Sequence, residues 1–383
     1  MTSFAFPAPP PSPESEALRA EVRAFLQQEL ADRAPIARAQ SWNGVDAAFS
    51  RKLGQRGWLG LTWPKRYGGH ERSALERHVL LEELLAAGAP VGAHWIAERQ
   101  SGPSLLRYGT EAQKLAILPR IAAGECFFCI GMSEADAGSD LASVRTRAVR
   151  TEAGWRVNGA KLWTTNAQHC QYMILLSRTG AVDPQRRHHG LSQFLVDLSR
   201  PGIAIRPIAN LAGEPHFNEV AFTDALLPPD AILGLEGEGW SQVTGELAYE
   251  RSGPERFLSS FTLLVELIRV LSPVADERAQ IAVGRLCAQL VTLRRMSRSV
   301  AGLLQAGADP ALEAAMVKDL GALVEQEIPE VARDLLADAP PTPASRAFAE
   351  VLAYTSLHAP SFSLRGGTRE ILRGIIARGL GLR

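Results

Sequence analysis

The chain has 383 residues, 46% of them hydrophobic, and its 41 basic and 41 acidic side chains cancel to a formal charge of zero. That length can bury one large core or several cooperating ones, and the balanced charge excludes the electrostatic footprint of a nucleic-acid or anionic-membrane binder. No stretch stays apolar long enough to span a bilayer, and the Pro-rich Met1–Pro13 lacks the basic start and apolar run of a signal peptide. A cytoplasmic protein without membrane insertion, with small molecules or other subunits as partners, is therefore expected.

Residues 1–14 read as a flexible, Pro-rich amino terminus. Across 15–126 the apolar residues recur at helical spacing, as in Leu18, Val22, Phe25 and Leu26, and again in Leu75, Val79, Leu80 and Leu84, which predicts an N-terminal α-helical domain. Cys126-Phe127-Phe128-Cys129 has redox-motif spacing, but on an extended run side chains three apart point to opposite faces, so two buried apolar thiols are expected instead. Over 127–236 the pattern alternates at period two and breaks at turns, as in Trp155–Gly159, Tyr172–Leu176 and Ser192–Val196, which predicts a middle β-domain. Within it, Arg186-Arg187-His188-His189 has no further ligands at metal-binding spacing and reads as a solvated loop. Gly234–Trp240 is glycine-rich but lacks the β-α unit of a dinucleotide loop, so it reads as a hinge. From 237 to 383 apolar-periodic stretches return, broken at Ser272-Pro273, Ala308-Asp309-Pro310 and Pro340–Pro343, which predicts a C-terminal α-helical domain of four or five helices. The class is α+β, multidomain.

Several motifs narrow this further. Gly57-Trp58-Leu59-Gly60 is followed by Trp63–Gly69, and Tyr108-Gly109-Thr110-Glu111-Ala112-Gln113-Lys114 precedes the β-domain. Met132-Ser133-Glu134-Ala135-Asp136-Ala137-Gly138-Ser139-Asp140 is followed downstream by Asn158-Gly159-Ala160-Lys161-Leu162-Trp163-Thr164-Thr165-Asn166. With these elements in this order, nearly the whole chain resembles the acyl-CoA dehydrogenase family. The resemblance implies a helical N-terminal domain, a β-barrel-like or sandwich middle domain and a C-terminal four-helix bundle. It also implies FAD as cofactor, an acyl-CoA substrate, electron-transfer flavoprotein or a similar acceptor, and a homo-oligomer, either dimer or tetramer.

In that family a saturated thioester loses its α proton to a carboxylate while a hydride leaves the β carbon for flavin N5, so ring, acyl chain and base must be stacked in order. By resemblance, Trp163 packs by the isoalloxazine, Thr165 with Thr164 lies at its N5 edge, and Ser133 with the Met132 backbone bonds the pyrimidine edge. Ser139 matches a position that approaches the pantetheine of CoA. Many members carry the catalytic glutamate in a carboxyl-terminal Tyr-Glu-Gly-Thr segment, but here Leu364-Arg365-Gly366-Gly367-Thr368 stands there and Gly366 has no side chain. Other members place the base on the first long helix after the β-domain, directly before an arginine, and Glu250-Arg251 matches them. Glu250 is thus the expected base and Arg251 a substrate contact. Gly366 keeps the backbone amide that in relatives donates to the thioester carbonyl, and its missing side chain leaves room for a branched or bulky acyl group. Thr368 and Glu370 match a segment that approaches the flavin, and both also fit an ordinary helix start.

One departure opens other readings. Many relatives reach the FAD pyrophosphate of a neighbouring subunit with an Arg-x-x-Phe-Gly segment, whereas Arg285, Arg294, Arg295 and Arg298 have no Phe-Gly after them and are expected to face solvent or acidic partners. Some members without the segment work as heteromers. One alternative is therefore a non-catalytic or flavin-sharing subunit of a heteromeric dehydrogenase; a separate one, within flavin chemistry, is a fold-sharing flavin monooxygenase or nitroalkane oxidase.

Overall fold

The computed structural model describes residues 4–10, 12–272, 276–336 and 343–382, the side chains of 246–250 and 343 excepted. Helices α1 (Pro13–Glu29), α2 (Pro35–Ala39), α3 (Ala47–Gln55), α4 (Ala74–Ala86), α5 (Gly102–Tyr108) and α6 (Glu111–Ala122) come first. Strands β1 (Phe128–Gly131), β2 (Arg147–Thr151), β3 (Gly154–Thr165), β4 (Tyr172–Arg178), β5 (Leu191–Asp197), β6 (Ile203–Ile208), β7 (Phe217–Leu227) and β8 (Ile232–Leu233) follow. Helices α7 (Gly239–Glu250), α8 (Phe261–Leu271), α9 (Glu277–Gln305), α10 (Ala311–Leu336), α11 (Pro343–Phe362) and α12 (Arg369–Gly379) complete the chain. The helix–sheet–helix order is the expected one. The breaks at Ser272-Pro273 and Pro340–Pro343 fall partly outside the described residues. Among the described residues no helix is long and apolar enough to cross a membrane.

Local chemistry sets the helix starts. Ser73 accepts from the Glu76 amide while the Glu76 carboxylate accepts from the Ser73 amide, and Thr110 with Gln113 repeats this reciprocal cap. Pro13 opens α1, where a missing N–H costs nothing, and the expected face of Leu18, Val22, Phe25 and Leu26 is buried.

The chain packs as two compact units. One comprises Met1–Gly44, Arg72–Val91 and Ala248–Arg383, the other Val45–Glu71 and Gly92–Leu247, so the helices before the sheet are divided between them. In the first unit α8, α9, α10 and α11 bury a shared core including Leu263, Leu267, Leu286, Leu293, Val324 and Ile328. Helix α4 packs on α1 and α9 and buries acidic residues among the apolar ones. Glu82 is met by Arg19 at 2.9 Å and by Arg294 at 2.6 Å, so its buried charge is paired and its carboxyl is held down near 2 against the pull of burial.

In the second unit the strands form one sheet ordered β6-β7-β3-β2-β4-β5-β8, with β1 added in parallel to β4. Trp155 on β3 and Phe194 on β5 are about 14 Å apart by strand count at roughly 4.8 Å per step. Their rings nevertheless meet edge to face with centroids 5.1 Å apart. The sheet therefore curls over its own core, which Val157, Met173, Leu175, Val196, Val220 and Phe222 fill. On the other face Ile174 packs with residues of α5 and α6, so β4 is buried on both sides.

Candidate active site

In the sheet unit, β1 ends at Gly131, where a side chain would collide with Met173, whose sulfur would lie 2.7 Å from a Cβ. The chain leaves the sheet as Met132-Ser133-Glu134 and is caught from β3. Lys161 donates its ammonium to the Met132 carbonyl at 3.0 Å and to Glu134 Oε1 at 2.7 Å, and the Leu162 amide donates to the Ser133 carbonyl at 2.9 Å. Glu134 also accepts from the amides of Arg145 (2.7 Å) and Thr146 (2.9 Å). The Lys161 side chain is fully buried, and burial pulls its pKa down to about 8 while Glu134 pushes it back up. The Glu134 carboxyl is lowered, the charge of Lys161 and its hydrogen bonds outweighing the opposing desolvation.

The same strand then distorts. Its pairing with β7 slips between Lys161 and Thr164, and Trp163 sits at φ +60° with 55% of its surface exposed. Left-handed backbone in a bulky residue costs on the order of 1–3 kcal/mol. Among the described residues the indole meets one aromatic ring, that of Phe217, edge to face at 5.9 Å. Thr164 is buried, its carbonyl held by Asn218 Nδ2 at 3.1 Å, and its hydroxyl has no hydrogen-bond partner among the described residues. Thr165 pairs with Phe217 and Asn166 turns at φ +53°, so the strand ends directly behind the tryptophan. Ser133, Trp163 and Thr165 are thus borne on two segments that Lys161 and Leu162 tie together. A half-exposed aromatic side chain, with an unpartnered threonine hydroxyl on the next residue, is a fit for a flat, polar-edged ring such as isoalloxazine.

Ser139 is exposed and follows a tight turn in which Glu134 and Ala137 exchange backbone hydrogen bonds of 2.9 and 3.2 Å. Beside it Asp140 accepts from Arg187 at 2.6 Å, which places part of the basic 186–189 loop against this turn. Among the described residues no cluster of potential metal ligands is present. Cys126 and Cys129 are buried free thiols, as expected in spite of their redox-motif spacing.

In the helical unit Glu250 is the last residue of α7, and its side chain lies outside those described. Arg251 is buried, and its Nε donates to the Gly366 carbonyl at 3.1 Å. Gly366 and Gly367 adopt φ of +69° and +99°, conformations that disfavour any side chain. Arg365, just before them, is held by Glu325 at 2.8 Å. Thr368 caps α12, and Glu370 lies exposed in the first turn, its carboxyl lowered by its own backbone amide and the Thr368 hydroxyl. On α9, Arg285 pairs with Glu327 and Arg294 with Glu82, the acidic partners anticipated for them.

Sequence reading passed over Lys161, Glu134, Arg365 and Glu325. The first two stand inside the quoted motifs, where a buried Lys-Glu pair leaves no periodicity signal. The latter pair is 40 residues apart and carries no local signal at all.

Residues 12–125 match the family model for the acyl-CoA dehydrogenase N-terminal domain, and 129–225 match that for the middle domain. The chain is 34% identical to acyl-CoA dehydrogenase IpdE1 of Mycobacterium tuberculosis over 96% of this chain and 97% of that one. It is 36% identical to acyl-CoA dehydrogenase FadE26 of the same organism over 63% of this chain, a match that takes in 61% of that protein. Among solved structures, the Tcur3481-Tcur3483 steroid ACAD is similar with a TM-score of 0.86 at 27% identity, over 98% of this chain and 99% of that one. The ChsE4-ChsE5 complex from Mycobacterium tuberculosis is similar with a TM-score of 0.84 at 30% identity, over 98% and 99%.

Proposed function

Because the chain belongs to the acyl-CoA dehydrogenase family, we propose that it is an FAD-dependent enzyme that converts an acyl-CoA to the 2-enoyl-CoA, with Glu250 as the base. The observation that carries this reading is Trp163. A bulky side chain that is both half-exposed and held at φ +60° is strain with little return in packing, and such strain collects where a ligand is bound.

FAD, when bound, supplies the hydride acceptor at N5. Trp163 offers the ring a face, Ser133 and Thr165 offer hydroxyls to its polar edges, and Lys161 holds the Met132–Glu134 segment in register with β3. The Gly366 amide donates to the thioester carbonyl oxygen, where charge develops as the α proton leaves, and the Glu250 carboxylate takes that proton. Arg251, bound to the Gly366 carbonyl, holds the next peptide, on the carboxyl side of that amide. Electrons then pass to an electron-transfer flavoprotein or similar acceptor.

The acyl group is bulky in this reading. Gly366 carries no side chain where many members of the family carry a glutamate, and the similar Tcur3481-Tcur3483 protein is a steroid ACAD. A second reading is also supported by a particular observation: Arg285 and Arg294 are engaged by Glu327 and Glu82 of this same chain, not left for a flavin pyrophosphate. It makes the protein one chain of a heteromeric dehydrogenase, and the similar ChsE4-ChsE5 structure is a complex of two named components.

Anaerobic titration with butyryl-, isovaleryl-, palmitoyl- and steroid side-chain CoA tests the primary reading. The flavin should bleach with the bulky thioesters, and Glu250→Gln should retain flavin while its bleaching slows by about 10²–10⁴-fold. Bleaching of the variant at the wild-type rate ends the role of Glu250. A protein that purifies colourless and gains flavin only with a second, related chain moves the conclusion to the heteromer, and rapid oxygen consumption by the reduced flavin moves it to an oxidase or monooxygenase.

A further inference from the structure

We propose that Arg365 is a positioning residue, which fixes the Gly366 amide through a reciprocal clasp between segments 251–259 and 362–367. The proposal rests on the reading of Gly366 as the thioester-carbonyl donor. It starts from a conformational problem. Two consecutive glycines at φ +69° and +99° have far more backbone freedom than any other residue pair, so a hydrogen-bond donor carried there is poorly aimed unless both flanks are fixed. On the carboxyl side Thr368 caps α12, and Arg369 Nε reaches Asp319 Oδ1 at 2.8 Å.

The amino side is fixed by Arg365. Its Nη2 donates to Glu325 Oε2 at 2.8 Å, Ser259 Oγ at 2.5 Å and the Glu255 carbonyl at 3.2 Å. The guanidinium also lies over Trp42 and Phe362, 4.5 and 4.8 Å from the ring centroids. Glu325 is itself fully buried and takes the Ser259 amide at 2.9 Å on its other oxygen, so the acceptor cannot swing away.

The contacts run in both directions. Arg365 of the later segment donates to the Glu255 carbonyl of the earlier one, and Arg251 of the earlier segment donates to the Gly366 carbonyl of the later one. Two more bonds pin the earlier segment: Ser297 Oγ donates to the Ser252 carbonyl at 2.5 Å, and His78 Nε2 lies 2.9 Å from that hydroxyl. The residue that follows Glu250 and the residue that precedes Gly366 therefore move as one piece. A buried ion pair is a poor way to gain stability, since well-packed apolar residues of the same volume do as well or better. A flat guanidinium lying over two rings, with its Nη2 shared among three acceptors, is a good way to fix angles.

That contrast sets the experiment, made on the full flavin-loaded chain. Arg365→Met combined with Glu325→Leu removes both charges together, so the unfolding midpoint should stay at or above that of the wild type with flavin content unchanged. For the acyl-CoA of the panel that bleaches the wild type fastest, kcat should fall by about 10–100-fold with KM within about twofold, because a misaimed donor is felt in the transition state. Amide hydrogen exchange across 362–368 should speed up by about tenfold or more. A single Arg365→Lys change, which keeps the charge and loses the flat guanidinium over Trp42 and Phe362, should reproduce both the kcat loss and the faster exchange. Unchanged exchange in a folded double variant overturns the clasp, and faster exchange with undiminished kcat overturns the positioning role. If no acyl-CoA bleaches the wild type, the dehydrogenase reading fails, and the exchange measurement still decides whether the clasp holds the turn.

Discussion

Two buried cation–carboxylate pairs brace the two segments on which the proposed chemistry depends, and they differ in kind. Lys161–Glu134 holds the Met132–Glu134 segment in the sheet unit, and Arg365–Glu325 holds the Gly366 turn in the helical unit. The lysine is a point charge with two acceptors, the Met132 carbonyl and Glu134, and burial has already drawn its pKa to about 8. The arginine shares its Nη2 among a carboxylate, a hydroxyl and a carbonyl, and although burial lowers its pKa too, a guanidinium starts so high that it keeps its proton. One brace is therefore adjustable by pH and the other is fixed. The segment proposed to touch a cofactor that must be loaded is held by the adjustable one, and the turn proposed to aim at a reacting carbonyl by the fixed one.

The largest effect should come from breaking the lysine brace on one side. Lys161→Met leaves Glu134 charged in a site built for a cation, a loss of about 3–5 kcal/mol for a half-broken buried pair. It should appear as a lower urea midpoint together with loss of flavin. This contrasts with the paired removal at Arg365 and Glu325, which should leave the midpoint unchanged. A Lys161→Met protein that unfolds at the wild-type midpoint would show that the ammonium braces nothing.

Next in size is the turn itself. Gly366→Ala puts a side chain at φ +69°, which costs about 1–2 kcal/mol, and narrows the room beside the acyl chain. Against the CoA panel, kcat/KM for the steroid side-chain thioester should fall by about tenfold or more, while butyryl-CoA loses no more than the backbone strain costs. Equal losses across the panel would separate Gly366 from substrate selection.

The pH dependence is smaller and comes from Lys161 alone. Its pKa in the folded protein is about 8, below its ordinary 10.5. The pair is charged below about 8 and neutralised on the lysine side above it, so flavin affinity should weaken through that range by at most about tenfold per pH unit, the limit for one proton. Global stability moves the other way. Between the two values the unfolded chain binds the proton that the folded chain has lost, so this group's contribution to stability rises with pH. Falling flavin affinity with a urea midpoint that does not fall is the expected pattern, and an affinity flat from about pH 7 to about 9.5 would refute a lysine-based brace.

What the sequence made legible follows the range of the interactions. The amphipathic face of α1, the capped starts of α4 and α6 and the alternating strands β3, β4 and β5 are written in neighbours a few residues apart. Met132-Ser133 and Trp163-Thr164-Thr165 were legible as motifs, and the structure adds how they are joined, through Lys161 and Leu162. The curl of the sheet, which brings Trp155 onto Phe194, and the clasp between Arg251, Gly366, Arg365 and Glu325 were not legible. They join residues dozens to more than a hundred positions apart, and nothing in the local pattern of a Glu-Arg or an Arg-Gly-Gly marks its distant partner. The conformation of Trp163 was equally hidden, because a tryptophan in an alternating strand reads as an ordinary β residue.

That hidden strain gives the smallest effect and the one that separates folding from function most cleanly. Trp163→Gly replaces a bulky residue at φ +60° with one that adopts this angle freely, which returns about 1–2 kcal/mol. Against this stand the edge contact with Phe217 and the larger backbone entropy that glycine brings to the unfolded chain, about 1 kcal/mol. Because more than half of the indole is exposed, little buried apolar area is lost. The terms nearly cancel, so the urea midpoint should stay within the equivalent of about 1 kcal/mol of the wild type, on whichever side. Flavin affinity should nonetheless fall by tenfold or more, since a stacking face is worth about 0.5–1.5 kcal/mol beyond its area. A large drop in the midpoint would mean that Trp163 is held at φ +60° to complete the sheet, and a tight flavin complex without it would remove the observation on which the proposed function rests.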